Sequence, residues 1–313
     1  MYHNLKVSKC ISMAPPSPLL AVLSRQLRLR RRRVLSLTGL LLGLSWSSPR
    51  ILALRAQSAP GRWLEVRQIA RSVSIHAGGN RSARVGDRLH NSGHGVSTGR
   101  RASATLAVDL NIGTVSLAEN THITVQRLEV LSDGARVTLL QVHRGQARIQ
   151  ARPMNNPNSR FDLQIPNGIA AVRGTDFGVA VGEDQKTAVG TLDGHVELTA
   201  QGVTVPVVTG FASVLRPGQP PTQPLVLDRE LDITWQSQSR QGNTIYLVGR
   251  IDVANTLWQE MEADSREIPI NQGGVFEIRL PLEPRSRTLT FSVRNSLGES
   301  RTHPLTLDRI PIR

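Results

Sequence analysis

At 313 residues, with 39% hydrophobic and 20% charged side chains, the chain has room for two domains of ordinary size with buried cores after a presequence. Its formal net charge of +14 points at first to nucleic acid, but residues 1–58 hold ten Lys and Arg and no acid, which leaves the rest near +4. Aromatic residues make up only 4%, too few for base stacking, so nucleic acid is not expected as a partner.

Arg28 and the block Arg30-Arg31-Arg32-Arg33 precede thirteen uncharged, mostly apolar residues over 34–46. A membrane span needs about 20 such residues. The run therefore fits the core of a signal peptide with a long basic n-region, occupying 1–58, and no stable membrane span is expected after processing. Ala56-Gln57-Ser58 supplies the small residues a signal peptidase reads, which places the mature start near Ala59, and the long leader makes Met13 an alternative initiator. Arg31-Arg32-Arg33-Val34-Leu35 resembles a twin-arginine signal, but Arg30 stands where that motif has Ser or Thr. General secretory export to the periplasm or cell envelope is the expectation. The single cysteine, Cys10, follows Val7-Ser8-Lys9, which is no lipobox, so the mature chain has no disulfide and rests on core burial alone. Basic residues dominate up to residue 173 and acids beyond it. Such a first half suits anionic envelope polymers, although a solvated basic surface is the simpler reading.

From residue 63 to 226 the pattern is β throughout, in short alternating runs separated by turn signals at Gly78-Gly79-Asn80, Asp133-Gly134, Asp193-Gly194 and Gln201-Gly202, each read as a hairpin. Residues 152–159, with two Pro and three Asn, read as a loop. The centre of this region is 161–181. Phe161, Leu163 and Ile165 alternate with polar residues, residues 169–172 form a continuous apolar run, and Phe177, Val179 and Val181 begin a further strand beyond Arg173-Gly174-Thr175. Gly174 is expected at a positive φ or at a close backbone approach.

At these residues the chain resembles the FecR domain, named for the ferric-citrate sensor regulator, over roughly 62–225. Val85-Gly86-Asp87-Arg88-Leu89 is similar to the family's opening strand, and Val96-Ser97-Thr98-Gly99 followed by Ala102, Ala104 and Leu106 to its first hairpin. Residues 109–113 stand where the family has an Asp-Gly turn, though longer here; 115–120 resemble the next strand. Residues 140–149, centred on Gly145, resemble the strand pair before the core, and 187–196 with Asp193-Gly194 the closing hairpin. The motif residues Gly86, Asp87, Thr98, Gly99, Gly145, Gly174, Thr175, Phe177, Asp193 and Gly194 are accordingly assigned structural roles. The resemblance implies a non-enzymatic module whose sheet surface binds an envelope protein in signalling or assembly. Regulators of the family also carry a cytoplasmic anti-sigma segment and a retained membrane helix; the basic segment before residue 34 is too short for such a domain, which puts sigma-factor control in doubt.

Four Pro within residues 217–224 mark a semi-rigid linker, set at 217–227 between a domain over 62–216 and another over 228–313. The second, with runs such as Leu231 to Trp235 and Thr244 to Ile251 and a closing F-x-V-x-N-x-x-G pattern, resembles a bacterial immunoglobulin-like β-sandwich. The expected fold is therefore all-β: a FecR-like domain of many short strands, a twisted sandwich or solenoid-like stack, followed by an immunoglobulin-like β-sandwich, each half folding on its own.

No catalytic signature is present: no Gly-x-Ser-x-Gly, no cysteine nucleophile in the mature chain, no His-Glu-x-x-His, no Walker loop and no Gly-x-Gly-x-x-Gly. His90 and His94 have ligand spacing only on a helix, which Gly93 and Gly95 oppose, so no metal is expected there. Asp193-Gly194-His195 reads as a turn before it reads as acid–base chemistry, and Glu260, Glu262, Asp264 and Glu267 as a solvated edge before a calcium site. Trp235 and Trp258 read as core. Neither enzyme activity nor a cofactor is expected. The candidate binding residues are Arg100, Arg101 and Arg173, which suit an anionic partner, with Arg173 also placed to hold its turn. Peptidoglycan or another glycan is the alternative ligand.

Overall fold

A computed structural model describes residues 61–109, 112–262, 265–281 and 287–311, all within one compact unit running from Ala56 to Arg313. The expected export signal lies outside the described residues. In chain order the first strands are β1 (Leu64–Ala70), β2 (Val73–His76), β3 (Asn80–Ser82), β4 (Arg88–Leu89), β5 (Gly95–Thr98), β6 (Ser103–Val108), β7 (Gly113–Leu117), β8 (His122–Val130) and the long β9 (Arg136–Ala151). They continue with β10 (Arg160–Ile165), β11 (Gly168–Val172), β12 (Asp176–Val181), β13 (Thr187–Asp193), β14 (His195–Ala200), β15 (Val203–Val208), β16 (Phe211–Leu215) and β17 (Leu225–Val226).

These seventeen strands make two layers. The first sheet has the order β4-β1-β6-β7-β9-β12-β13-β16-β17. The second has the order β3-β2-β5-β8-β9-β10-β11-β14-β15. β9 serves both: residues 136–144 pair with β8 and β10 in the second sheet, and residues 145–151 pair with β7 and β12 in the first. Between the layers the inward positions of the alternating runs form one core, with Leu64, Ile75, Leu106, Leu140, Ile149, Phe161 and Phe177 fully buried. One buried ion pair crosses this core: Arg62 Nε lies 3.0 Å from Asp109 Oδ1, and the same guanidinium donates to Val137 O and Thr138 Oγ1. Removing either partner of such a pair leaves an uncompensated buried charge, a loss of about 3–5 kcal/mol.

The chain changes sheet ten times, and nine of those crossings carry a residue with positive φ: Arg71, Gly86, Gly93, Arg101, Asn120, Gly145, Gly174, Gly194 and Gly210. A left-handed residue turns the backbone sharply enough to leave one layer and enter the next. The tenth crossing, from β9 to β10, uses the eight-residue loop 152–159 instead. Gly145 bends β9 in mid-strand at φ 83, where an added Cβ would lie 2.5 Å from Thr121 Cα, so a side chain is excluded by space as well as by φ. Gly174 meets its expectation on both counts: its φ is 125, and a Cβ would lie 2.7 Å from Pro153 Cα. Beside it Thr175 Oγ1 donates to His195 O at 2.9 Å, which ties this crossing to the one at Gly194.

Three sequence-based pairings change. Asp193-Gly194 is not a hairpin turn, because β13 pairs with β12 and β16 while β14 pairs with β11 and β15. The supposed first hairpin at Thr98-Gly99 is likewise a crossing between β5 and β6, held by Thr98 Oγ1 donating to Ala118 O and accepting from the Thr121 amide. Residues 140–149 are one bent strand rather than two. A turn-forming Gly fixes the sense of the bend but not the sheet to which the chain goes next. The hairpins at Gly78-Gly79, Asp133-Gly134 and Gln201-Gly202 are as expected. Gly86 and Asp87 form the turn into β4, where Asp87 is held by Arg81 through two 2.8 Å bonds, and that guanidinium keeps its carboxyl below the ordinary range.

The remaining strands, β18 (Thr234–Gln241), β19 (Thr244–Arg250), β20 (Thr256–Glu260), β21 (Ser265–Ile268), β22 (Val275–Pro281), β23 (Thr288–Arg294) and β24 (Ser300–Thr306), form a second sandwich of β18-β19-β22 against β21-β20-β23-β24. Trp235 is half-buried and packs against its core, with Phe276 and Phe291 each at 5.6 Å edge-to-face. Trp258 is only half-buried and lies under the Arg294 guanidinium at 5.1 Å. β21 pairs with β20 and not with β22, so the strand order differs from the four-plus-three arrangement of a constant-type immunoglobulin domain.

This sandwich is seated directly on the outer side of the first sheet. Gly178 and Gly190 face each other across β12 and β13, and a Cβ on either would overlap Ser296 in the turn after β23. Leu297 and Ala254 complete an apolar seam with Ala188, Ala212, Val214 and Leu227. Around it Gln146 Nε2 donates to Asn295 O, Lys186 Nζ donates to Asn255 O at 2.6 Å, and Arg294 pairs with Glu119 at 2.8 Å. Burial pulls the Lys186 ammonium down to about 8. β13 is thus covered on both faces, which explains its unbroken buried run from Thr187 to Thr191.

Gly174→Ala is expected to lower stability by about 1 kcal/mol or more, and Gly174→Val by roughly 3 kcal/mol, because the Pro153 backbone cannot move aside. Gly134→Ala, at φ 79 but with open space around it, should lose only the backbone component, on the order of 1 kcal/mol. Urea melts of the three variants decide; wild-type stability in both Gly174 variants contradicts this account of the crossing.

Candidate functional site

With the first sheet covered along β12, β13 and β16, attention falls on the outer face of the second. There a groove of about 680 Å³ runs beside loop 152–159, over β10, β11 and β14. Its apolar part is Leu131, Ile169, Ala171 and Val172; its rim carries Arg160, Asp162, Arg173, His195 and Glu197. Alternation places Arg160, Asp162, Ile169, Ala171, His195 and Glu197 outward, while Phe161, Leu163, Ala170, Val172 and Val196 point into the core, so Val172 borders the groove from beneath. Ile169 is 46% exposed, a β-branched side chain left facing solvent. Burial raises the Asp162 carboxyl, opposed by Arg160.

The bordering loop is held rather than loose. Asn158 Nδ2 donates to Asp133 Oδ2 at 2.6 Å, Asn156 Nδ2 donates to Asp133 O, and the Ser159 hydroxyl accepts the Arg136 amide. The Asn158 bond, followed by the Ala135 amide, keeps the Asp133 carboxyl below its ordinary range. Arg173 Nη2 donates to Pro157 O at 3.0 Å, fixing the loop to the crossing at Gly174.

The three candidate arginines are not brought together. Arg173 borders the groove, whereas Arg100 and Arg101 sit at the crossing after β5, close to Gly145 at the other end of the first-sheet half of β9, about 20 Å away at ~3.3 Å per residue. The Arg101 amide donates to Glu119 and its guanidinium reaches Glu262 O of the sandwich at 3.4 Å, and the Arg100 Nη1 atom is buried with no hydrogen-bond partner. His90 Nδ1 donates to Arg62 O at 3.3 Å and His94 Nδ1 is buried without a partner, so the two do not form a site. Glu260 bonds Ser292 and Arg294, Glu267 accepts the Glu183 amide across the seam, and Asp264 lies outside the described residues. Among the described residues no three ligating side chains surround one point as a metal site.

A second cluster was not read from the sequence. His76 on β2, Ser97 on β5, His122 on β8 and His143 on β9 form a row across four neighbouring strands of the second sheet. Ser97 Oγ lies 2.8 Å from His76 Nε2 and 2.7 Å from His122 Nδ1, and Thr124 Oγ1 lies 2.9 Å from His143 Nε2. Ring centres are 5.4 Å apart for His76 and His122 and 4.7 Å for His122 and His143. The register of β8 and β9 shifts between His122, paired with Arg144, and Ile123, paired with Val142, which leaves His143 as the extra residue beside His122.

The fold is a two-layer all-β body with a groove on the outer face of its second sheet. Residues 95–197, about a third of the chain, match the family model described as FecR protein, so this segment is similar to the FecR domain. The two-sheet body extends beyond the match on both sides. No curated protein matches the chain. Two crystal structures of a candidate anti-sigma factor from Parabacteroides distasonis ATCC 8503, at 1.65 and 2.50 Å, are similar at 18% identity with TM-scores of 0.34 and 0.35. The similarity covers 41% of this chain and 59% of theirs, so it spans about three-fifths of their length.

The His122 ring is pulled from 6.5 to about 4 by burial, then by His143, His76 and Arg144, the groups that face it. Because the folded value lies below the unfolded one, the unfolded chain takes up the proton first. The stability contributed by the neutral ring is full above about pH 6.5 and is lost as pH falls toward about 4. Urea melts at about pH 7.5 and about pH 5 should show a larger acid loss for the wild type than for His122→Gln; equal losses contradict the assignment.

Proposed function

We propose that the chain is a non-enzymatic, exported envelope protein whose FecR domain binds a protein partner in signalling or envelope assembly, through the groove beside loop 152–159. The observation that carries this reading is one of position. Every residue lining the groove falls between 131 and 197, inside the matched segment, and on the sheet opposite the one that seats the sandwich. An apolar floor with a rim of both charges suits a protein surface, where apolar burial supplies affinity and the rim sets register. The only hydroxyl in the groove's lining is Ser159, and it is taken up by the Arg136 amide rather than facing a base, which favours binding over catalysis. In the same proposal residues 62–216 form the recognition domain and 228–313 a support docked on its back.

Peptidoglycan or another glycan is the second reading, resting on the basic first half. It is the weaker one because no Trp, Tyr or Phe lines the groove to stack on a sugar ring.

The test uses the mature chain on envelope extracts, with Ile169→Glu and Glu197→Arg beside the wild type. A discrete protein captured by the wild type should be lost at least ten-fold in both variants. Capture unaffected by either change, or sedimentation with purified peptidoglycan and no protein capture, overturns the proposal.

A further inference from the structure

We propose that the row His76, Ser97, His122 and His143 on the second sheet holds a binding site for a borderline divalent transition ion, of the zinc, nickel or copper(II) class, with His122 and His143 as its ligands. An ion held at 2.0–2.1 Å by two imidazole nitrogens at a tetrahedral angle sets the ring centres about 5 Å apart. The His122–His143 separation, 4.7 Å, is close to that value, whereas His76 and His122 turn their facing nitrogens to Ser97 Oγ.

The hydrogen bonds already prepare the rings. A hydroxyl oxygen has two lone pairs, so Ser97 Oγ can accept from His76 Nε2 and His122 Nδ1 together, and Thr124 Oγ1 can accept from His143 Nε2. Those tautomers leave His76 Nδ1, His122 Nε2 and His143 Nδ1 as lone pairs, with no protein hydrogen bond to any of them among the described residues. Fixing one ring nitrogen by a neighbouring acceptor while the other ligates is how protein imidazoles are normally held for a metal. His143 is exposed and His76 and His122 are half-buried, so an ion can reach them.

Ligation requires neutral imidazole, and burial lowers both His122 and His143. Arg144, the charged group facing His122, opposes protonation further. No acid contributes, so imidazole nitrogens set the preference, and they suit zinc, nickel and copper rather than calcium or magnesium. Because the three rings form a line rather than a triangle, two of them hold the ion and water completes its shell.

The experiment is calorimetric titration of the chelator-stripped full-length chain with zinc chloride, repeated with nickel chloride, at about pH 7.5. One saturable site per chain is expected, weakened at least ten-fold in His122→Ala and in the exposed-ring variant His143→Ala, and unchanged in His303→Ala. In parallel, nickel should broaden the imidazole proton resonances of His122 and His143 before those of His195 and His303. Absence of both heat and broadening overturns the proposal, and so does binding that survives His122→Ala and His143→Ala undiminished.

Discussion

A chain that alternates between two stacked sheets must leave each layer through a turn tighter than an extended backbone allows, and that constraint shapes most of this molecule. A residue in the left-handed region solves it, and nine of the ten crossings use one. Where the site is also crowded, as at Gly145 against Thr121 and Gly174 against Pro153, no side chain fits. The tenth crossing has no such residue and takes eight residues of loop instead. That loop needs its own support, which the asparagines, Asp133 and Arg173 provide, and its presence beside β10 turns a plain sheet face into a groove.

The same economy of side chains decides what each face does. On the first sheet the pair Gly178 and Gly190 leaves bare backbone, and the turn at Ser296 comes down onto it; apolar contacts from Leu297 and Ala254 and a buried lysine contact from Lys186 surround that seat. On the second sheet the outward positions keep their side chains, including Ile169 and the histidine row, and no part of the sandwich contacts the groove's lining residues through a hydrogen bond or ion pair among those described. The linker over 217–224 is exposed except at Pro221 and the half-buried Pro224, and Thr222 ties it to Ser213 and Val214 of β16 rather than leaving it as a free spacer.

Much of this was legible in the sequence because it is local. Alternation marked the strands, the Gly-rich pairs marked turns, and Arg173-Gly174-Thr175 stood out as a crossing with positive φ. What escaped depends on which strands become neighbours. Asp193-Gly194 has the same local chemistry whether the chain returns to its own sheet or enters the other, so it read as a hairpin. His76, His122 and His143 come from three distant segments and meet only because β2, β5, β8 and β9 are adjacent. Nothing local marks Gly178 and Gly190, since the Ser296 turn that needs the space lies more than a hundred residues further along the chain. Arg100 and Arg101 suggested a basic patch, and the fold separates them from Arg173.

The central claim is that the second sheet's outer face, not the sandwich, is where this protein meets its partner. Site-specific photo-crosslinking in the intact envelope tests it most directly, with the probe placed in turn at position 169 on the groove and at position 277 on the exposed face of the sandwich. The account predicts a discrete higher-mass adduct from 169 and none from 277. An adduct from 277 alone contradicts it.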